Sequence, residues 1–147
     1  MEKIKVAVIG AGGKMGTRTS NNLVTKFPDK FDVKLVETFP PAVERIEKER
    51  GLKVTPVDEA LAFADVVIFA VPDTLIKKLS AEYVPMLKPG TVFLILDPAA
   101  AVAKELTLRD DCTFGVAHPC HPSYFKWQKE EEAYQDRFGG EGGHQDI

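Results

Sequence analysis

The residues best suited to chemistry form a glycine-rich segment near the start of the chain. It follows a short apolar run at residues 4–9 that is rich in β-branched side chains and is typical of a buried parallel strand. A helical pattern begins at residue 15. Strand, glycine turn and helix in this order direct backbone N–H groups and the positive end of a helix at a phosphate group. The glycines of this predicted phosphate-binding turn are Gly10, Gly12, Gly13 and Gly16.

Each glycine has a predicted role in the turn. We expect Gly10 to make the tight turn and Gly16 to let the helix pack closely against the strand. Gly12 and Gly13 would let a pyrophosphate approach the backbone. The spacing is a variant, because a strict G-x-G-x-x-G from Gly10 would end at Met15, and here the turn holds one more residue. A P-loop is excluded, since no hydroxyl residue follows the lysine of the turn.

An acidic residue stands where a dinucleotide site needs one. Residues 31–36 are typical of a second strand, and Glu37 ends it, 21 residues beyond Gly16. At this distance an acid binds the ribose 2′-hydroxyl of NAD. Its carboxylate would repel the 2′-phosphate of NADP, and the first arginine after it is Arg45, so NAD is favoured over NADP. The alternatives are a plain exposed acid at a strand end and a domain that binds another ligand.

The elements that must position these residues alternate along the chain. Strand patterns occupy residues 4–9, 31–36, 52–55, 65–71, 91–96 and 112–117, with helical patterns between them. This order predicts an α/β fold, a doubly wound parallel sheet of about six strands with helices on both faces, which is the Rossmann fold. We assign residues 1–122 to this domain. Residues 123–147, first charged and then glycine-rich, are predicted to be a linker or the start of a second, helical domain that the sequence lacks; a flexible tail is the alternative.

Composition and charge exclude several classes of protein. Of 147 residues, 44% are apolar and 28% charged, which is ordinary for a globular protein. The net charge of −3 gives no reason to expect nucleic acid or an anionic membrane as a partner. The first apolar run is too short for a signal peptide, and no segment is long enough to span a membrane. Cys112 and Cys120 are most simply reduced thiols, so we predict a cytoplasmic protein.

Several motifs together resemble a known superfamily. The glycine turn, Glu37 and residues 64–73, 87–91 and 96–100 resemble the N-terminal half of the 6-phosphogluconate and β-hydroxyacid dehydrogenases. With HPCHP at residues 118–122, the chain is more similar to the phosphogluconate-dehydrogenase-like subgroup that includes the D-apionate oxidoisomerases. The resemblance implies an NAD-dependent oxidoreductase that transfers hydride between a nicotinamide cofactor and a CH–OH group of a small hydroxy acid or sugar acid. It also implies a homodimer in the full-length protein.

The resemblance also implies which residues form the cofactor site. The glycine turn contributes a continuous segment, and Val71 and Pro72 end the strand at residues 65–71 on the same edge of the sheet. For Lys14 and Arg18, on successive turns of the first helix, a solvated helix face is the alternative. The predicted cofactor-binding residues are Gly10, Ala11, Gly12, Gly13, Lys14, Met15, Gly16, Glu37, Val71 and Pro72.

Two histidines follow the last predicted strand. A dehydrogenase that oxidises a hydroxyl needs a base at this edge, and the similar prephenate dehydrogenases carry His-Pro here. We therefore predict His118 as the catalytic acid/base and His121 as a substrate-binding residue. A histidine held by backbone hydrogen bonds is one alternative, and a metal site that includes Cys120 is another. We predict no metal, because the prolines at positions 119 and 122 turn neighbouring side chains apart. The alternative function is a nucleotide-sensing module that binds the cofactor but catalyses no reaction. The two histidines favour an enzyme, because a sensor needs no imidazoles at the catalytic edge of the sheet.

Overall fold

The computed structural model describes residues 2–118, which form a parallel sheet with helices around it. The strands are β1 (Ile4–Ile9), β2 (Phe31–Val36), β3 (Val66–Phe69), β4 (Val92–Ile95) and β5 (Thr113–Val116). The helices are α1 (Lys14–Asn21), α2 (Pro40–Glu44), α3 (Val57–Phe63), α4 (Asp73–Tyr83) and α5 (Ala99–Val102). Helices α1 and α2 continue into π-helical turns at Asn22–Lys26 and Arg45–Glu49, and α4 continues into a 3-10 turn at Val84–Met86. None of the helices in this part of the chain is long and apolar enough to cross a membrane.

The strand order confirms the predicted fold class. The five strands are all parallel and lie in the order β2-β1-β3-β4-β5. Beyond β2, Leu35 and Val54 form an isolated parallel bridge. Counting that bridge as a strand gives the order 3-2-1-4-5-6, which is the doubly wound arrangement of dinucleotide-binding sheets.

The strand predicted at residues 52–55 is wrong in extent, since it consists only of this bridge. Gly51 turns the chain with a φ of +62°, and Pro56 precedes α3 directly. Of the residues between them, only Val54 pairs with β2, through its bridge to Leu35. Thr55 donates one further backbone hydrogen bond to Leu35, at 2.7 Å. The sheet therefore has five strands where the sequence predicted about six.

Both faces of the sheet are covered, which explains the apolar character of its central strands. In β1, the side chains of Ala7 and Ile9 join one buried cluster with residues of α3 and α4. Val6 and Val8 join a second cluster with Ile46 from the turn that follows α2. Successive side chains of a strand point to opposite faces. A strand buried on both faces therefore has no polar alternation, as the sequence of β1 shows.

The carboxyl ends of three strands meet at one edge of the sheet. Gly10, which follows β1, donates its N–H to the carbonyl of Val36 at the end of β2, at 2.9 Å. On the other side of β1, Ala70 donates to the carbonyl of Ile9, at 2.9 Å. The glycine turn is thereby held between the ends of β2 and β3. Ligands of doubly wound sheets bind at this edge.

Candidate functional site

A cavity of about 380 Å³ opens at this edge, between the ends of β1, β2 and β3. Its volume lies within the range of ligand pockets. The predicted cofactor residues in its wall are Gly10, Gly12, Gly13, Glu37, Val71 and Pro72. The other predicted residues lie beside the wall, in the turn or the first turn of α1: Ala11, Lys14, Met15 and Gly16. Ala11 and Gly16 are buried.

Gly10 and Gly16 are required by the fold itself. Gly10 has a φ of +78°, a conformation that side chains disfavour, and an added Cβ would lie 2.5 Å from the carbonyl oxygen of Ala70. An added Cβ on Gly16 would overlap the carbonyl oxygen of Gly10 and lie 2.8 Å from the Cα of Ala11. Helix α1 therefore begins in direct backbone contact with the turn.

Gly12 and Gly13 differ in what surrounds them. An added Cβ on Gly12 would lie 2.5 Å from the Cβ of Ala42 and 2.9 Å from Oε2 of Glu37, so the protein itself fills the space that we expected a pyrophosphate to approach. An added Cβ on Gly13 would meet only ordinary contacts, at 3.4 Å from the carbonyl oxygen of Gly10 and 3.8 Å from that of Ala70. Of the four turn glycines, all within the described residues, only Gly13 lacks a packing reason to be glycine.

Glu37 is tied to the glycine turn through its side chain. Its Oε2 accepts the N–H of Gly12 at 2.9 Å, and its Oε1 accepts the N–H groups of Thr38 at 2.9 Å and Phe39 at 3.0 Å. Backbone donors thus hold the carboxylate in the cavity wall. Because a carboxylate oxygen has two acceptor sites, Oε2 retains one for a hydroxyl of a ligand. The acid predicted to bind a ribose therefore also orders the turn.

Arg45 is a site residue that sequence reasoning missed. It lies in the π-helical turn after α2, lines the cavity, and donates from Nη2 to the carbonyl of Gly12 at 3.2 Å. The signal in the sequence was indirect: the segment after β2 must fold back over the turn after β1, because those two strands are neighbours. In the sequence, Arg45 is distinguished only as the first arginine after Glu37.

Arg50 supports the turn from behind and does not line the cavity. Its Nη2 donates to Oγ of Ser20 and Oδ1 of Asn21, both at 2.7 Å, and its Nη1 donates to the carbonyl of Ala11 at 3.5 Å. Burial lowers the pKa of the Arg50 guanidinium from its ordinary value. Even so, an arginine side chain remains protonated at neutral pH. Arg50 therefore links α1 to the segment that carries Arg45.

The remaining wall is apolar and was also missed. Leu75, Leu79 and Tyr83 recur every four residues along α4 and so share one face of that helix. Leu75 is 43% exposed, whereas Tyr83 is buried in the same core cluster as Ile76, and Leu79 packs against that cluster. Phe39, which is 60% exposed, contributes an aromatic ring from the loop after β2. Burial, and then the charge of Glu82, raise the pKa of Tyr83.

His118 lies at the end of β5, and its Nδ1 is 2.9 Å from the carbonyl oxygen of Leu96. A carbonyl only accepts, so Nδ1 carries the proton, and Nε2 of the neutral ring is an acceptor. This geometry suits the predicted base and equally the alternative of a histidine held by the backbone. His118 is outside the wall of the cavity.

His121 and Cys120 lie outside the described residues. Within residues 2–118, no three His, Cys, Asp or Glu side chains converge as a metal site.

Comparison with known proteins identifies the domain. Residues 1–121 match the family described as acetohydroxy acid isomeroreductase, NADPH-binding domain. The chain belongs to this family. It is also similar to curated D-apionate oxidoisomerases from two bacteria. That of Blautia hydrogenotrophica is 71% identical over 147 residues, which are 100% of this chain and 50% of the relative. That of Rhizobium rhizogenes is 47% identical over 135 residues, 92% of this chain and 48% of the relative.

A solved structure supports the same conclusion. The semialdehyde dehydrogenase NAD-binding protein of Cupriavidus necator, in complex with calcium and NAD, is 44% identical with a TM-score of 0.86, over 98% of this chain and 51% of that one. The chain thus spans about half the length of the curated relatives it matches. The predicted resemblance to the subgroup with the D-apionate oxidoisomerases is confirmed. This isomeroreductase-type domain is an NAD(P)-binding domain of the oxidoreductase class.

Proposed function

We propose that this chain is the cofactor domain of an NAD(P)-dependent oxidoreductase that transfers hydride between nicotinamide and a CH–OH group of a sugar acid. The substrate class is that of the D-apionate oxidoisomerases, to which the chain is 71% and 47% identical. Their name joins oxidation to isomerisation, and we propose the same combination for the whole protein. In this proposal residues 1–122 form the cofactor domain, and residues 123–147 lead into the part that binds the substrate.

The observation that carries the cofactor assignment is Gly13. Its missing side chain is not explained by packing, yet it lies in the wall of the cavity, at the start of α1. The first N–H groups of a helix have no intrahelical acceptor, and a glycine before them lets a pyrophosphate come close. The pyrophosphate would therefore bind at the turn of residues 10–16, with Lys14 and Met15 in the first turn of the helix.

The other end of the dinucleotide matches the rest of the wall. Glu37 retains an acceptor site for a ribose hydroxyl, which favours NAD. The apolar side chains of Phe39, Leu75 and Leu79 suit the flat faces of an adenine, with Val71 and Pro72 at the end of β3. Strands β4 and β5 lie on the opposite side of β1 from β2. A dinucleotide that crosses this edge would extend its nicotinamide towards them.

His118 is our proposed base. Bound nicotinamide supplies the hydride acceptor, and Nε2 of His118 accepts the proton of the substrate hydroxyl, so that C–H and O–H bonds become a carbonyl. The hydrogen bond from Nδ1 to Leu96 supports this role, because it keeps Nε2 as the acceptor. His121 is proposed to bind the substrate. We further propose a cytoplasmic homodimer without nucleic acid or membrane partners.

The proposed cofactor site is tested by calorimetric titration with NAD and NADP. Gly13→Ala should fold normally, since the new Cβ meets only ordinary contacts, but should weaken NAD binding by roughly tenfold or more. Gly90→Ala is the control, because Gly90 has a φ of +82° and lies outside the cavity wall. It should lower the melting temperature and leave NAD affinity unchanged. Absence of binding by both dinucleotides to the unmodified protein would refute the proposal.

A further inference from the structure

We propose that Arg50 is a positioning residue for the cofactor's pyrophosphate: it lies behind the glycine turn, and its charge has no counter-ion until the pyrophosphate binds. The inference deepens the proposed function and rests on it, because it requires a dinucleotide whose pyrophosphate lies at residues 10–16. Arg50 does not line the cavity, so it acts through the turn without touching the ligand.

The guanidinium of Arg50 lies between α1 and the segment after α2. Its Nη2 donates to Oγ of Ser20 and to Oδ1 of Asn21, both at 2.7 Å, and Ser20 is fully buried. Its Nη1 lies 3.5 Å from the carbonyl oxygen of Ala11, which is also fully buried and directly follows Gly10. The positive charge is therefore held against the back of the glycine turn.

None of the groups that bind this guanidinium carries a negative charge. The three acceptors are a hydroxyl, a side-chain amide and a backbone carbonyl. Among residues 2–118, no ion pair includes Arg50. Burial lowers the pKa of Arg50, whereas a nearby carboxylate would raise it. The guanidinium still stays protonated at neutral pH, so it is a half-buried cation without a counter-ion in the described part of the chain.

An uncompensated cation of this kind costs stability. Nε of Arg50 is buried and has no hydrogen-bond partner among the described residues. Removing a charge from water is unfavourable when no opposite charge compensates it. A neutral side chain could link Ser20 and Asn21 at a lower cost. The charge is therefore better explained by an anion that binds at the turn than by the stability of the fold.

The pyrophosphate of the proposed cofactor is a suitable anion. It would bind at the first N–H groups of α1, on the cavity side of the turn, with Arg50 on the opposite side. Charges interact more strongly through protein than through water, because the effective dielectric constant is lower. The guanidinium would therefore add to the attraction by the positive end of the helix. The adenosine part of the cofactor carries no negative charge and should gain nothing from Arg50.

Asn21 allows a test that leaves Arg50 in place. Asn21→Asp keeps the size of the side chain and an oxygen that accepts from Nη2, but it gives Arg50 a counter-ion. Asn22→Asp is the matched control, because it adds the same charge one residue later, at a position that is also half-buried. Within residues 2–118, no hydrogen bond joins Asn22 to Arg50.

The experiment measures dissociation constants for ADP, which carries a pyrophosphate, by calorimetry and for adenosine, which has none, by NMR titration. Asn21→Asp and Arg50→Gln should each weaken ADP binding about tenfold, the order expected for unit charges separated by about 10 Å at an effective dielectric constant of about 20. Both should leave adenosine binding unchanged. Arg50→Lys keeps the charge and should retain most of the ADP affinity. Asn22→Asp should weaken ADP binding by less than about threefold.

Melting temperatures of the same samples separate the charge at the turn from support of the fold. Asn21→Asp should melt at a higher temperature than Asn22→Asp, because only the first gains an ion pair with Arg50. Arg109→Gln is a second control. Arg109 also donates to backbone carbonyls, those of Val84 at 3.0 Å and Leu87 at 2.8 Å, and lies outside the cavity wall. Its loss should lower the melting temperature without changing the ratio of ADP to adenosine affinity.

Three results would overturn the inference separately from the proposed function. The first is an unmodified protein that binds NAD and ADP, with the ratio of ADP to adenosine affinity unchanged in Asn21→Asp. The second is an equal effect of Asn21→Asp and Asn22→Asp, which would show that only net charge matters. The third is an equal loss of ADP affinity in Arg50→Lys and Arg50→Gln, which would show that the charge is not the cause.

Failure of the unmodified protein to bind NAD or NADP would instead refute the proposed function itself. If the Arg50 variants do not fold, the comparison of Asn21→Asp with Asn22→Asp decides the case, because both keep the guanidinium in place.

Discussion

Gly16 packs against the carbonyl oxygen of Gly10 so closely that an added Cβ would overlap it. Two glycines six positions apart in the sequence thus bring the start of α1 against the end of β1. The contact is between backbones, so no side-chain movement relieves a substitution there. The shape of the turn is consequently a property of the fold, and it exists before any ligand binds.

Gly16→Ala should therefore destabilise the domain by about 3 kcal/mol, the upper end of what overpacking usually costs. Gly51→Ala is the comparison, because Gly51 has a φ of +62° but open space around it. Gly51→Ala should lower the free energy of unfolding by only about 1 kcal/mol, which is the cost of a left-handed backbone conformation for a residue that has a Cβ. Urea unfolding measures both. Equal costs would show that α1 can shift away from β1.

Patterns along the chain predicted the fold class, because β-branched runs and glycine spacing are local signals. The predicted strand at residues 52–55 was wrong in extent, because the local pattern does not include the pairing with β2, which is limited to the bridge between Val54 and Leu35. Arg45 and Phe39 could not be assigned, since their place in the wall depends on how the segment after β2 folds back. For Gly12, the sequence did not reveal that Ala42 would occupy the neighbouring space.

Two phenylalanines should give opposite results on substitution. Phe69 is 1% exposed, with its ring centroid 5.0 Å from that of Phe93 and 6.3 Å from that of Tyr83. Phe69→Ala should cost about 3–5 kcal/mol of stability. Phe39 is exposed and lines the cavity, so Phe39→Ala should change stability by less than about 0.5 kcal/mol. It should instead weaken NAD binding roughly tenfold, as the loss of a stacking partner for a base does.

These two outcomes are separated by measuring melting temperature and NAD affinity on the same samples. A large loss of stability in Phe39→Ala would mean that the ring supports the fold. Unchanged NAD affinity in that variant would remove Phe39 from the proposed adenine contacts.

Acid should weaken the domain through Asp65. A hydrogen bond from Lys88 Nζ at 2.8 Å, the charge of Lys88, and a longer bond from the N–H of Lys5 lower the pKa of Asp65 below its ordinary value of 3.8. Its stabilising contribution is therefore present above pH 3.8 and is lost as pH falls through the lower folded value. Because the pair is exposed, Asp65→Asn should cost less than about 1 kcal/mol at neutral pH.

The difference between Asp65→Asn and the unmodified protein should disappear as the pH falls below 3.8, and it should shrink with added salt. Asp29→Asn, which removes a carboxylate from an exposed turn, controls for the change in net charge. A difference that persists at low pH would show that the effect is not due to ionised Asp65.

The chemistry is tested at His118, and turnover has to be measured in a longer protein because this chain spans about half the length of its relatives. A chimera that adds the unmatched half of the Blautia hydrogenotrophica relative serves this purpose. In it, His118→Asn should lower kcat by roughly 10²–10⁴-fold, the range for losing a general acid/base. NAD affinity should change little, because His118 lies outside the cavity wall.

The hydrogen bond from Nδ1 of His118 to the carbonyl of Leu96 makes this test specific, because asparagine can still donate there while lacking a basic nitrogen in place of Nε2. A drop in kcat with unchanged melting temperature and NAD affinity therefore isolates the proton transfer from the structural bond. His121→Asn, at the residue predicted to bind substrate, should lower kcat far less and act mainly on KM. If His118→Asn leaves kcat unchanged in a chimera that turns over D-apionate, the imidazole serves only to hold the end of β5 against β4.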